Sequence, residues 1–199
     1  MNGSLKIAIA DDELDMRDYF QQILPLLGHQ VIAVARDGRE LVDLCATTRP
    51  DLVITDIKMP DMDGIEAATR IYQNAPIPVI LVSAYHDPEF IRRAEADHIL
   101  AYLVKPIKQA DLEPAIGIAM RRFEQFQALR KETSDLKQAL EDRKVIEKAK
   151  GILMKKAGLD EHDAFRRLQK LASDKNRKLI DIAQMILTAE EALEPPRRT

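Results

Sequence analysis

The sequence predicts a doubly wound α/β domain on a five-stranded parallel sheet, followed by a helical stalk and a three-helix C-terminal domain. Three observations carry that prediction. Short, nearly continuous apolar runs alternate with segments of helical periodicity as far as Met120. Three of the runs end abruptly on charged residues. Beyond Met120 the apolar spacing is helical throughout, up to a Pro-Pro-Arg-Arg terminus.

The strands are expected at Leu5 to Ala10, Val31 to Ala35, Leu52 to Thr55, Pro78 to Ser83 and Ala101 to Val104. Their lack of polar alternation predicts burial on both faces, which is the habit of parallel sheets. Leu14 to Leu27, Gly38 to Ala46, Ile65 to Tyr72 and Asp111 to Met120 read as helices, giving βα units with right-handed crossovers. The topology that follows is flavodoxin-like.

After Met120 a 3-4 spacing of Phe126, Leu129, Leu136 and Leu140, with polar Thr133 at one seam position, predicts a linker helix over 121–143. It is either a short coiled coil or an amphipathic helix lying on the first domain. Ile146, Ala149, Ile152 and Leu153 then continue a helix that Gly158 can end. Asp160 can cap the next, which carries Ala164, Phe165, Leu168, Leu171 and Ala172 at core spacing. A basic turn, Lys175 to Lys178, leads to a third with Leu179, Ile182, Ala183, Ile186 and Leu187. The expected divisions are a first domain over 1–120, the linker, a three-helix domain over 144–192 and a frayed end over 193–199.

Composition narrows the function classes. A hydrophobic fraction of 46% suits globular domains with real cores. The single cysteine, Cys45, forbids a disulfide within the chain, and no apolar run is long enough to span a bilayer. The N-terminus lacks the apolar segment of a signal peptide, so the expectation is a cytoplasmic protein with no membrane partner. The net charge of -3 is unevenly spread: residues 1–120 hold 11 Lys+Arg against 19 Asp+Glu, and residues 121–199 hold 19 against 14. The basic half permits a polyanionic partner.

Asp56 closes the third strand and is followed at once by Met59-Pro60-Asp61-Met62-Asp63-Gly64, which cannot extend it. The first strand runs into Asp11-Asp12, and the fifth into Lys105-Pro106. In an open parallel sheet these carboxyl ends meet at one edge, where such folds bind ligands. Crowded carboxylates repel one another, so Asp11, Asp12 and Asp56 imply a cation, and Mg2+ suits one or two carboxylates together with phosphate oxygens. Asp56 would then be a nucleophile toward phosphorus, with Lys105 neutralising the transferred group. Singly, Asp12 is as well read as a helix cap, Lys105 as a solvated strand end and Ser83 as a turn residue. Their joint order at strand ends favours the phosphoacceptor. A phosphatase of the haloacid dehalogenase class is the enzymatic rival, but its Asp-x-Asp pattern would have its second acid where Lys58 stands.

Asp11-Asp12, Asp56, Met59-Pro60-x-x-Asp63-Gly64, Ser83-Ala84 and Lys105-Pro106 resemble the receiver domain of bacterial two-component response regulators, over residues 5–120. The resemblance implies a non-enzymatic regulator whose Asp56 accepts phosphate from a sensor histidine kinase. It implies Mg2+ held by Asp11, Asp12, Asp56 and the carbonyl of Lys58, and a phosphoryl group bound by Ser83 and Lys105. Tyr102 matches the family's aromatic switch position, and the bond before Pro106 is expected to be cis. Asp97-His98-Ile99 departs from the family's Gly-Ala, and histidine tolerates a left-handed conformation less easily than glycine. His29, His86, His98 and His162 have no spaced partners and read as structural or exposed.

Arg143-x-x-Ile146-x-x-Ala149-Lys150-Gly151-Ile152-Leu153-Met154, with Ala164-Phe165-x-x-Leu168 and Asn176-Arg177-x-Leu179-x-Asp181-Ile182-Ala183, resembles the ANTAR domain of antitermination regulators over about 136–190. That resemblance implies binding of RNA hairpins by paired domains, hence a homodimer, formed on phosphorylation. The candidate RNA contacts are Lys148, Lys150, Gly151, Lys155, Arg166, Lys170, Arg177 and Lys178, with Arg167 a further cation. Gly151, costly inside a helix, suggests close approach by another helix or a nucleic-acid backbone. Phe165 is expected in the core. A DNA-binding helix-turn-helix is the second reading, disfavoured by the long basic turn, and a protein-docking module the third.

Overall fold

The computed structural model describes residues 3–84 and 99–193. Strands β1 (Lys6–Ala10), β2 (Gln30–Ala35), β3 (Leu52–Asp56), β4 (Val79–Ser83) and β5 (Ile99–Val104) form one sheet in the order β2-β1-β3-β4-β5. Every neighbouring pair is parallel. This is the expected doubly wound topology, with its switch point between β1 and β3. Asp56 is the last residue of β3 rather than the first beyond it, and β5 begins two residues before the expected Ala101.

Strand alternation explains why both faces are apolar. Ala8, Ala10, Val53 and Leu81 pack with Leu41, Cys45, Ile65, Ala68 and Ile71 of α2 (Gly38–Thr48) and α3 (Gly64–Asn74). Their odd-numbered or opposite-parity neighbours Ile7, Ile9, Ile54, Ile80 and Val82 face the other way, onto Phe20 and Leu24 of α1 (Leu14–Leu26) and Leu112, Ile116 and Ala119 of α4 (Gln109–Ala157). Burial pushes the Cys45 thiol up to about 12, in keeping with a small core hydrophobe. His29 Nδ1 accepts a bond from Leu5 N at 3.3 Å, a structural role.

Local chemistry fixes the elements that matter for function. Asp63 caps α3 by accepting from Glu66 N at 2.8 Å, and Asp61 takes the left-handed φ of 62° that the turn before it requires. A Cβ added to Gly64 would lie 2.0 Å from the Asp56 carbonyl oxygen, so only glycine lets α3 start against the end of β3. Gly64 N donates to Ile57 O at 2.9 Å and ties the two together.

The chain divides into two compact units between Ala128 and Leu129. The helix α4 has 49 residues and runs through both expected limits, Met120 and Arg143. Gly117 and Gly151 lie within it without taking a positive φ, and the left-handed stop comes only at Gly158, with φ of +63°, directly after its end. In the second unit, α5 (Glu161–Asp174) is capped by Asp160, which accepts from Asp163 N at 2.8 Å, and α6 is Leu179–Leu193. Ala149, Leu168, Ala172, Ile182 and Ala183 are its buried core. Phe165 corrects the expectation: it is 37% exposed, because one residue beyond Ala164 is a 100° turn away from the Ala164-Leu168-Ala172 line. The seam residues Leu129, Leu136 and Leu140 are about 60% exposed. His86, His98 and the Asp97-His98 departure lie outside the described residues, as does the expected frayed end past Leu193.

The two kinds of glycine predict opposite substitutions. Gly64→Ala should lower stability by about 1–3 kcal/mol through overpacking against the Asp56 carbonyl. Gly151→Ala, in a helix interior with nothing within 4 Å of the added carbon, should raise it by about 0.5–1 kcal/mol. Urea unfolding of the two variants checks both signs.

Candidate functional site: an acid-lysine cluster at the sheet edge

β1 and β3 are adjacent, with Ala10 paired to Thr55, so the residues that follow, Asp11 and Asp56, emerge side by side. Across β4, the backbone N–H of Lys105 donates to Ser83 O at 2.8 Å, which anchors the end of β5 to the same edge. The Lys105-Pro106 peptide is cis, as expected. Lys105 Nζ then lies 2.9 Å from Asp11 Oδ2 and 3.2 Å from Asp56 Oδ1. Ser83 is buried at the same sheet edge, and Tyr102, one register position behind Leu103, packs half-buried against the α2-α3 side of the core.

Asp11 is wholly buried and Asp56 nearly so. Burial pushes Asp56 up to about 6; Lys105 pulls it down and Asp11 pushes it further up, and burial wins. Asp11 is raised for the same reason, against the opposing effects of Lys105 and the Glu13 N–H. For Lys105 burial favours the neutral amine, but the close carboxylates of Asp11 and Asp56 outweigh it and hold the ammonium charged. Lys58 N donates to Asp56 Oδ2 at 2.8 Å, fixing the carboxylate plane so that Oδ1 is the oxygen beside the ammonium.

Two residues that the spacing did not single out belong to the site. Glu13 Oε1 is 3.1 Å from Lys105 Nζ, and Glu13 N donates to Asp11 Oδ1 at 3.0 Å. Arg17 Nη1 donates to the carbonyls of Asp11 and Asp12 at 2.6 and 2.9 Å, clamping the loop that carries both acids. The third acid of the run Asp11-Asp12-Glu13 was the available signal for Glu13; nothing local marks Arg17.

The donor set fits a hard divalent cation. Asp11, Asp12 and Glu13 offer carboxylate oxygens within 4.8 Å of one another, whereas Asp56 is joined to Asp11 through Lys105. Asp11 Oδ2 is buried with the ammonium as an ion-pair neighbour but no well-directed hydrogen bond, leaving an anionic oxygen incompletely satisfied. All-oxygen ligands of this kind suit Mg2+.

The matches to known proteins agree with this geometry. A response regulator receiver domain model matches residues 7–117, and an ANTAR domain model matches residues 134–187. The chain belongs to the response regulators with an ANTAR output domain. It is 38% identical over 194 residues, 98% of this chain and 93% of the relative, to the transcriptional regulatory protein PdtaR of Mycobacterium tuberculosis. The receiver domain of the putative response regulator NarL from M. tuberculosis is similar with a TM-score of 0.54 and 25% identity, covering 58% of this chain and 94% of that one. The CheX-CheY-BeF3-Mg2+ complex from Borrelia burgdorferi is similar at 0.51 and 27%, covering 56% and 85%. The receiver match displaces the phosphatase rival. Among the described residues no helix is long and apolar enough to cross a membrane.

In the ANTAR unit of this regulator the cations separate into two sets. Lys150 is buried, its ammonium 2.7 Å from Glu147 and 2.8 Å from Glu161, so it joins α4 to the start of α5 rather than standing free. Those two carboxylates raise the lysine's pKa, the Glu147 bond most. The side chains of Lys148, Lys155, Arg166, Lys170, Arg177 and Lys178 are exposed and, among the described residues, form no ion pair. Gly151 is exposed, and among the described residues nothing lies within 4 Å of where its Cβ would be. Lys148, Gly151 and Lys155 recur at spacings of 3 and 4 residues, on one side of the helix opposite Ala149.

Because the folded pKa of Asp56 stands above the ordinary carboxylate value, ionisation opposes folding: the penalty is absent below about pH 4 and grows as pH rises through 6. Asp56→Asn should therefore raise the unfolding free energy at pH 7.5 without divalent cation by about 1–3 kcal/mol and leave it nearly unchanged at pH 4. Equal urea midpoints for variant and parent at pH 7.5 would contradict the assignment.

Proposed function

We propose that this response regulator is phosphorylated on Asp56 by a sensor histidine kinase and controls transcription by binding RNA hairpins through its ANTAR unit in antitermination. The observation that carries the reading is Lys105 Nζ within 3.2 Å of both Asp11 and Asp56 at the carboxyl edge of the sheet. Lys105 is placed to neutralise a group arriving at Asp56 Oδ1, which supplies the electron pair for a new O–P bond. The phosphohistidine N–P bond breaks and its electrons return to the imidazole of the kinase. Asp11, Asp12, Asp56 and the Lys58 carbonyl would hold Mg2+, with Glu13 close by. Bound there, the cation supplies charge stabilisation for the phosphoryl oxygens. The Borrelia relative whose structure contains BeF3 and Mg2+ supports this reading by similarity.

A phosphoryl group adds about -1.5 to -2 charges and three acceptor oxygens, enough to draw Ser83 and Lys105 inward and, through Tyr102, to bias a two-state receiver. Leu129, Leu136 and Leu140, exposed along one side of α4, would close against a second copy, giving a homodimer. Two ANTAR units then meet two RNA loops, and effective concentration supplies affinity that one lacks. The unpaired cations Lys148, Lys155, Arg166, Lys170, Arg177 and Lys178 would meet phosphates, Gly151 would admit the backbone, and Lys150 would hold the fold of the unit.

Three measurements test this. With acetyl phosphate and Mg2+, the parent should gain one phosphoryl group and bind a tandem hairpin more tightly, while Asp56→Asn gains none and its affinity stays flat. Lys148→Ala with Lys155→Ala should lower the slope of log affinity against log salt by about 2 at unchanged fold. Preference for duplex DNA at matched salt, or affinity insensitive to salt, would overturn the RNA reading.

A further inference from the structure

Lys105 meets a third carboxylate that the transfer chemistry does not use. Its ammonium is 2.9 Å from Asp11, 3.2 Å from Asp56 and 3.1 Å from Glu13. An ammonium has three N–H donors, and the three acids match them one for one, so an incoming oxygen must displace one of the acids. We infer that Glu13 is an exchangeable placeholder on Lys105, occupying in the resting protein the place on the ammonium that an incoming phosphoryl oxygen must take. The inference rests on the phosphoacceptor reading of Asp56.

The three acids differ in freedom. Asp11 and Asp56 are held on strand ends with side-chain exposures of 0% and 7%, and each is fixed by a backbone N–H, from Glu13 and Lys58 respectively. The Glu13 side chain is 62% exposed and nothing but Lys105 bonds its carboxylate among the described residues. It sits at the N-cap of α1 but makes no side-chain cap bond, so its acid is not engaged in ending the helix. Water can take over its solvation at little cost, whereas uncovering either buried acid would strand a charge. Glu13 is therefore the partner that leaves when Lys105 turns to phosphate.

A positioning residue of this kind sets how readily Asp56 is modified. Until Glu13 releases the ammonium, Lys105 is less free to stabilise charge on the transferring group, and Glu13 itself repels that group. An exposed pair of this type has a modest strength, so its removal should change the rate by about two- to five-fold.

The experiment uses the full chain at saturating Mg2+, following acyl-phosphate formation from acetyl phosphate by intact mass. Formation on Glu13→Gln should be about two- to five-fold faster than on the parent, and the thermal shift caused by beryllofluoride should be larger. Asp15→Asn, which removes an exposed charge in the first turn of α1, should leave both readouts at parental values. The half-saturating Mg2+ concentration should be the same for Glu13→Gln and parent. A rate unchanged or lowered by Glu13→Gln, an equal gain with Asp15→Asn, or a several-fold higher Mg2+ requirement would overturn the placeholder role, the last by making Glu13 a cation ligand. A parent that is not modified at Asp56 at all would instead remove the phosphoacceptor reading on which the role stands.

Discussion

The receiver unit is organised around one unfavourable fact: two carboxylates, Asp11 and Asp56, are buried at adjacent strand ends within reach of a single ammonium. Taking like charges out of water raises their proton affinity, and Lys105 offsets only part of that cost, as the rise of Asp56 to about 6 indicates. The surrounding fold keeps them together regardless. Gly64 permits α3 to begin against the Asp56 carbonyl, Lys58 N–H pins one carboxylate oxygen, and Arg17 clamps the backbone of the acidic loop. A site that holds charge under such constraint is stabilised by any further cationic charge placed near it.

The ANTAR unit solves a different problem. Its small core of alanines, leucines and isoleucines leaves many charges outside, and the unit pairs some and frees others. Lys150 is committed to Glu147 and Glu161, a bridge that links two helices. Lys148 and Lys155 flank Gly151 on the opposite side of the same helix, and among the described residues nothing lies within 4 Å of where a Gly151 Cβ would be. Charge count alone treats these lysines as equal; their partners distinguish them.

Much of this was legible in the sequence. The strand runs, the Asp160 cap, the Gly158 stop and the convergence of Asp11, Asp56 and Lys105 follow from local spacing and from the rule that parallel strands end at one edge, and the cis Lys105-Pro106 bond from the resemblance to receivers. What escaped were relations between residues close in space for reasons other than strand order. Glu13 and Arg17 join the site because the loop after β1 folds back on itself. Phe165 fell outside the core because helical spacing tells which residues share a face but not how wide the buried part of that face is.

The sequence by itself determined the topology, the two-part organisation and the identities of the acids and lysine at the sheet edge, since these depend on periodicity and chain order. Only the tertiary structure decided which charges are spent on one another. Distances of about 3 Å between side chains from separate strands, and the burial that raises a carboxylate's proton affinity, arise from packing and desolvation, which no local pattern encodes.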